Sequence, residues 1–501
     1  MSLLGIDIGT TGCKAALFSE QGRLLAAAYR EYDVRRPEPG WAELDALEVW
    51  AKAQTSIREA IAGSSSDPVE ALSVSSLGEA MVPVTNQRQV LSSSLLNFDV
   101  RGEEYLASLN LDSEWLYRIN GNTLGNHFSL PKLKWVQQHQ RETYDRADKF
   151  LLWGSFVSHM LGAEPVVDYS LANRTLLFDL ASMTWSEELL GLAGIDRSKL
   201  PNTAPSGTAI GTVSRDVADS LGLPHTTVLV NGAHDQCANA VGCGVIREGR
   251  AVYGMGTFIC ITPVFGRLPP ATAMIALGLN TEHHAVPGLY VTFIFNQGGS
   301  LLKWFRDTFA AAEYRRAQAA DDIFGQLISE MPERPSTIMA LPHWAPTGPP
   351  EFVSNSSGVL AGLRLETSRG DILKGILEGT TFYLRECLDA LPETGIEIAE
   401  FRAVGGGSRS NAWIQLTADI MGRSFLRPQI TEAGALGAVI IAGVGCRRFA
   451  SFEEGVAAMV KPGRTFEPDT RQHELYQARF AQYRELWPLM RKYLQALAQD
   501  A

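Results

Sequence analysis

Apolar positions Leu3, Leu4, Ile6 and Ile8 open the chain and predict a short buried strand. Gly9-Thr10-Thr11-Gly12 turns it back into a second apolar run, Ala15 to Phe18, so the first element is a tight hairpin. Helical periodicity from about Ala46 to Ile61 predicts an amphipathic helix, and Ala71 to Ser75 a strand. Leu95 to Arg101 reads as another strand, whose alternation places Asp99 and Arg101 on one face. Helices are expected to start at Lys132 and to run from Phe150 to Leu161. Leu229 and Val230 lead through Gly232 into Asp235, and the small residues Cys237 to Gly242 predict a helix with Asp235 in its first turn. Downstream, Gly249 to Met255 and the Gly256-Thr257 turn repeat the opening pattern of strand and glycine turn. Asn296-Gln297-Gly298-Gly299 precedes a further helix, and a long helix is expected from about Arg369 to Leu391. Phe401 to Val404 predicts a strand, Gly405-Gly406-Gly407 a loop free of side chains, and Asn411 to Met421 and Gln472 to Ala498 two helices. The repeated strand-and-turn suggests a duplicated architecture, two domains covering 1–245 and 246–501 with the division near Val245.

The chain's 501 residues are too many for one ordinary core, which agrees with two domains. Net charge −11 and a pI near 5.4 argue against nucleic acid or an anionic membrane surface as main partner. The six cysteines lack C-x-x-C pairs and read as reduced, mostly buried thiols, so zinc is not expected. The longest apolar stretch, Ala435 to Val444, is too short to span a bilayer, and no charged-then-apolar leader precedes the first strand. A cytoplasmic protein is the expectation.

The candidate chemistry sits where strands end. Asp7 is an acid in an apolar strand, costly there unless a metal or partner meets it. With the hydroxyls of Thr10 and Thr11, the turn's amides and Lys14, it forms a set that fits phosphate and magnesium together; a plain hairpin with a satisfied Asp is the alternative. Glu79 follows a strand, the place where open α/β sheets gather ligands. Asp99 and Arg101 either bind hydroxyls or pair with each other, and Asp235 is either a helix N-cap or a base beside a phosphate site. The Gly405–Gly407 loop suits a flat ring such as adenine, and equally any tight strand-to-helix turn.

The opening hairpin resembles the first phosphate loop of the actin-like ATPase superfamily, and no Walker-type G-x-x-x-x-G-K-[ST] run occurs. Gly358-Val359-Leu360-Ala361-Gly362-Leu363 followed by Asp371 to Glu378, together with Gly405 to Asn411 and Gln415, Ala418, Asp419 and Gly422, is similar to the FGGY family of carbohydrate kinases, the likeness running from Leu3 to about Gly445. It departs at Gly375, where Ala or Ser is usual, and at Phe258, where the second phosphate loop commonly has Ser. The resemblance implies an α/β protein of two actin-like, ribonuclease H-like domains with a nucleotide cleft between them: a sugar-binding N-terminal domain and an ATP-binding C-terminal one. It implies a kinase with ATP and Mg2+ as cofactors. Asp7 would hold the metal. Thr10, Thr11, Lys14, Gly256, Thr257, Gly299, Gly406, Gly407 and Asn411 would bind nucleotide. Asp235 would be the catalytic base, and Glu79, Asp99, Arg101 and Asp235 would line the sugar site. Trp41 and Glu43 resemble a substrate-side motif of the same family. Xylulose kinases carry Gln-Met-His-Gly where this chain has Leu77-Gly78-Glu79-Ala80, and glycerol kinases carry Gln-Arg-Glu. The expected substrate is a ketopentose such as xylulose; a polyol, another ketose or a sugar acid are alternatives, as are an actin-like ATPase and a sugar sensor without kinase activity. A homodimer is left open.

Overall fold

The computed structural model describes residues 1–64, 67–109, 111–318, 322–429 and 432–499. In the first half β1 (Ser2–Ile8), β2 (Gly12–Ser19) and β3 (Leu24–Glu31) form an antiparallel run. The helix α1 (Ala46–Ala62) follows, its first turn closed by the Asp45 carboxylate accepting from the Leu47 and Glu48 amides at 2.9 and 3.1 Å. Next come β4 (Val69–Ser76), parallel to β1, then β5 (Ala209–Thr212), β6 (Val228–His234) and the helix α2 (Asp235–Gly242). The sheet order is β5-β6-β4-β1-β2-β3. Buried on both faces, β1 reads as a continuous apolar run rather than an alternating one.

The second half repeats this plan. β7 (Gly249–Met255) and β8 (Phe258–Phe265) make an antiparallel hairpin, β9 (Ile294–Gln297) adds to β8, and the helix α3 (Gly299–Phe309) follows. The long helix α4 (Arg369–Ala390) starts at a reciprocal cap between Ser368 and Asp371. Then β10 (Ile398–Val404) pairs in parallel with β7, the helix α5 (Asn411–Met421) follows, and β11 (Phe425–Arg427) pairs in parallel with β10. The helix α6 (Ala433–Gly445), the strand β12 (Arg464–Phe466) and the helix α7 (Thr470–Gln499) complete the chain. Each half is thus a hairpin whose first strand is extended by parallel strands, the α/β arrangement of a duplicated ribonuclease H-like unit.

The helix α6 joins the halves. Apolar all round, it is buried nearly all round, and Ala435, Leu436, Val439, Ile440 and Ile441 pack with Val230, Ala238 and Val241 over the first sheet. It crosses α2 at backbone contact: a Cβ on Gly437 would lie 1.7 Å from the Ala238 carbonyl oxygen, and one on Gly242 1.9 Å from that of Ala433. A cut of the chain at Val245 therefore separates the first sheet from a helix that covers it.

Two expected elements differ. Phe150 does not start a helix: Lys149–Leu152 is a strand paired with Met81–Val84, and the helix begins at Trp153. Leu95 to Arg101 is not a strand beyond Leu95. Its Asp99 carboxylate turns back on the Arg101 amide at 2.8 Å, the self-bonding by which Asp favours turns over ladders. All six cysteines are free thiols, as their spacing implied. Among the described residues no helix is long and apolar enough to cross a membrane.

Candidate active site

A cavity of about 580 Å³ opens between the halves. Thr10 of the first hairpin turn, Glu79 after β4, Asp235 at the start of α2 and Phe258 at the start of β8 all line it, so both turns border one space. Its two walls differ in character. The first half contributes Asn97, Asn122, Thr123, His127 and Arg174, whereas Phe258, Phe293, Phe295 and Phe352 of the second half make an aromatic wall.

Asp235 occupies the first helical position after β6, with the α2 amides beneath it. Burial, and then the negative charges of Asp7 and Glu79, push its carboxyl up to about 7. His234 Nε2 lies 3.2 Å from an Asp235 oxygen, but burial lowers the imidazole to about 3, so this contact joins a neutral ring to the acid. Asp7 stands at the end of β1, raised by burial and bonded to the Ser75 hydroxyl at 2.9 Å. Across the hairpin it pairs in register with Lys14, whose ammonium is bound to Glu432 at the entrance to α6. The Thr10 and Thr11 amides have no hydrogen-bond partner among the described residues, and Thr11 is exposed.

The second turn is organised differently. Gly256 donates to the Phe258 carbonyl at 3.0 Å, while Gly299 donates to Gly256 at 2.9 Å and Ser300 to Thr257 at 3.0 Å. The Gly299 amide is therefore committed to holding α3 on the turn. With that amide taken, a contact of Gly299 with nucleotide would rest on its lack of a side chain, and the exposed Thr257 offers an open hydroxyl. Gly406, Gly407 and Asn411 lie outside the cavity. Their loop rests on Met255, the residue before the second turn, and Gly406 has open space around its Cα.

Asp99 and Arg101 are not in the cavity wall, and that expectation is corrected. Asp99 is wholly buried, and both its oxygens serve Arg101 and the Ala42 amide, the latter at 2.6 Å. The Arg101 guanidinium also meets Glu43 at 2.7 Å and lies 3.9 Å from the Trp41 ring centroid and 4.9 Å from that of Trp135. Lys132 binds the carbonyls of Asp99 and Arg101 at 2.6 and 2.9 Å. Trp41, Glu43, Asp99 and Arg101 thus form a clamp under the loop that presents Asn97 to the cavity.

Sequence reasoning missed Arg174 and Glu282. Arg174 binds Glu79 through Nε at 2.7 Å and through Nη2, and its Nη1 reaches Glu282 of the second half at 2.5 Å. Burial is the strongest single influence and would raise Glu79, but the Arg174 charge together with the neighbouring imidazoles and a backbone hydrogen bond holds the carboxylate below its ordinary value. No periodicity or spacing links positions 79, 174 and 282. Among the described residues no three His, Cys, Asp or Glu side chains form a metal cage.

Residues 2–242 match the N-terminal domain, and residues 253–446 the C-terminal domain, of the FGGY family of carbohydrate kinases. A xylulose kinase of Staphylococcus epidermidis is 26% identical over 97% of this chain and 96% of its own. An autoinducer-2 kinase of Escherichia coli is 28% identical over 95% and 92%. A crystal structure of a xylulose kinase from Rhodospirillum rubrum superposes with a TM-score of 0.88 at 26% identity, covering 99% of this chain and 100% of that one. With the duplicated fold and the inter-half cavity, these matches place the chain in the FGGY family of carbohydrate kinases, which are sugar phosphotransferases.

Proposed function

We propose that the protein transfers the γ-phosphate of ATP to a hydroxyl of a small neutral ketose, a ketopentose such as xylulose. The observation that carries this reading is Asp235, which faces a sugar-sized cavity beside the first hairpin turn and is raised toward neutrality. A base needs that placement to accept the proton of an attacking hydroxyl. Phosphoryl transfer through a loose transition state asks the protein mainly for alignment and charge neutralisation. Thr10, Thr11 and Lys14 on one side and Thr257 on the other would hold phosphate oxygens, with Lys14 leaving Glu432 to do so. The loop at Gly406 and Gly407, with Asn411, would take the adenosine. Asp7 would hold Mg2+, which when bound neutralises charge on the transferring group. On this reading residues 1–245 carry the sugar side and 246–501 the nucleotide side.

Charge supports a neutral sugar over a sugar acid. Among the described residues that line the cavity, Glu79 and Asp235 stand with a single permanent cation, Arg174, which Glu282 behind it also binds, and His127 and His234 stay uncharged at pH 7, lowered by burial to about 4 and about 3. A carboxylate substrate would enter a negative pocket. The aromatic wall suits the C–H face of a sugar, whose hydroxyls then meet Glu79, Asn97, Asn122 and Arg174. A coupled assay of ADP release over a panel of ketopentoses, polyols and sugar acids tests the proposal; the expected result is highest kcat/KM for a ketopentose, and a sugar acid as best substrate would overturn it.

A further inference from the structure

Arg174 is held more firmly than a bridge between two acids requires. It closes the short helix Tyr169–Asn173, and its guanidinium lies 5.2 Å from the Phe128 ring centroid and 5.9 Å from that of Phe293, one ring from each half. Of its five N–H groups, Nε and one on Nη2 go to Glu79 and one on Nη1 to Glu282. The remaining two have no partner among the described residues, and the residue lines the cavity. Both bonds to Glu79 fall on Oε1, so the other oxygen stays available as an acceptor. Gly78 makes room for this arrangement: a Cβ there would stand 3.3 Å from both Arg174 Cγ and His234 Nε2.

We infer that Arg174 is a sugar-binding residue, donating its two uncommitted N–H groups to one oxygen of the substrate while Glu79 accepts from a neighbouring hydroxyl. The inference rests on the assignment of the cavity to the sugar. Because the fork is fixed by two carboxylates and two rings before substrate arrives, little ordering remains to be done on binding. The arginine and the acid then form one unit that reads two adjacent oxygens, and the class of substrate it fits carries vicinal oxygens at that point.

Two variants and a set of substrates test this. Arg174→Lys keeps the charge between Glu79 and Glu282 but loses the planar fork, and Gly78→Arg combined with Arg174→Ala offers a guanidinium from the other side of the same space. Folding is monitored by thermal melting. In wild type, one deoxy analogue, lacking the oxygen that Arg174 contacts, should lose about tenfold or more in kcat/KM. In Arg174→Lys that same loss should shrink to about threefold or less, while losses at other positions persist and the KM for ATP holds. A role confined to bracing Glu79 would lower turnover of all analogues alike, leaving their ratios unchanged; that pattern overturns the inference. The double variant should recover part of the discrimination, and a folded double variant with none also counts against it. Absence of sugar-dependent ADP release in wild type would remove the sugar-site reading and this inference with it, whereas unaltered ratios in an active, sugar-dependent enzyme remove the inference alone.

Discussion

Asp235 is placed so that its own ionisation opposes folding. Its carboxyl is raised to about 7 in the folded protein, chiefly by burial, against an ordinary aspartate near 4. Between those values the folded state binds the proton more readily than the unfolded one, so stability falls as pH rises through that window and the loss is complete above it. Asp235→Asn keeps the shape and the capping ability but cannot take a proton. It should lower kcat by about 10²–10⁴, while the melting temperature at pH 8 stays level or rises. A profile of kcat/KM against pH should show an acid limb near 7 that moves to lower pH in Glu79→Gln, because one neighbouring negative charge is gone. Arg101 gives the opposite pattern. Replaced by Ala, it leaves Asp99 buried and uncompensated and Glu43 without its partner, a loss of about 3–5 kcal/mol. Denaturant titration should register that loss, and the ratio of kcat/KM between two sugars should change little, since the guanidinium does not line the cavity.

At the scale of elements, the crossing of α2 and α6 fixes where Asp235 stands. Asp235 begins α2, Gly242 ends it, and the carbonyls of Ala238 and Ala433 lie against glycines of the opposite helix. Gly437→Ala puts a methyl 1.7 Å from a backbone oxygen, so one helix must move. The expected cost is about 1–3 kcal/mol or more, with loss of kcat accompanying the loss of stability because displacement of α2 carries Asp235 with it. Full activity in a destabilised Gly437→Ala protein would mean that the crossing is only structural. The helix α4 is insulated from this: its Glu378 accepts from the Ser336 amide at 3.0 Å and the Tyr476 hydroxyl at 2.9 Å, tying α7 to the second half away from the cavity.

For the whole molecule, a cavity walled by both halves is complete only when the halves are correctly set against each other. Sugar and phosphates would each be held by groups of both halves, and closure of the halves on them would exclude water from the γ-phosphate. ADP release should therefore be low with ATP alone and rise strongly on addition of a substrate sugar. A rate independent of sugar would point instead to a constitutive ATPase built on the same fold.

The two hairpins, the helix beginning at Asp235 and the helices at Arg369 and Asn411 were legible in the sequence because each is specified locally, by apolar runs, glycine turns and caps. Asp7, Glu79 and Asp235 were legible for a related reason, since an acid at the end of an apolar strand is conspicuous on its own. Which further charged residues line the cavity was not. Asp99 and Arg101 have the composition of a binding pair, yet packing between Trp41 and Trp135 turned them into a buried clamp. Arg174, far in the chain from both Glu79 and Glu282 and unmarked by any motif, was drawn between them because buried carboxylates need a partner and the fold brings one within reach. Local chemistry determined the elements and the acids at their ends; the pairing of charges across the cavity was decided by tertiary structure, because burial makes each charge's energy depend on neighbours that only the assembled fold supplies.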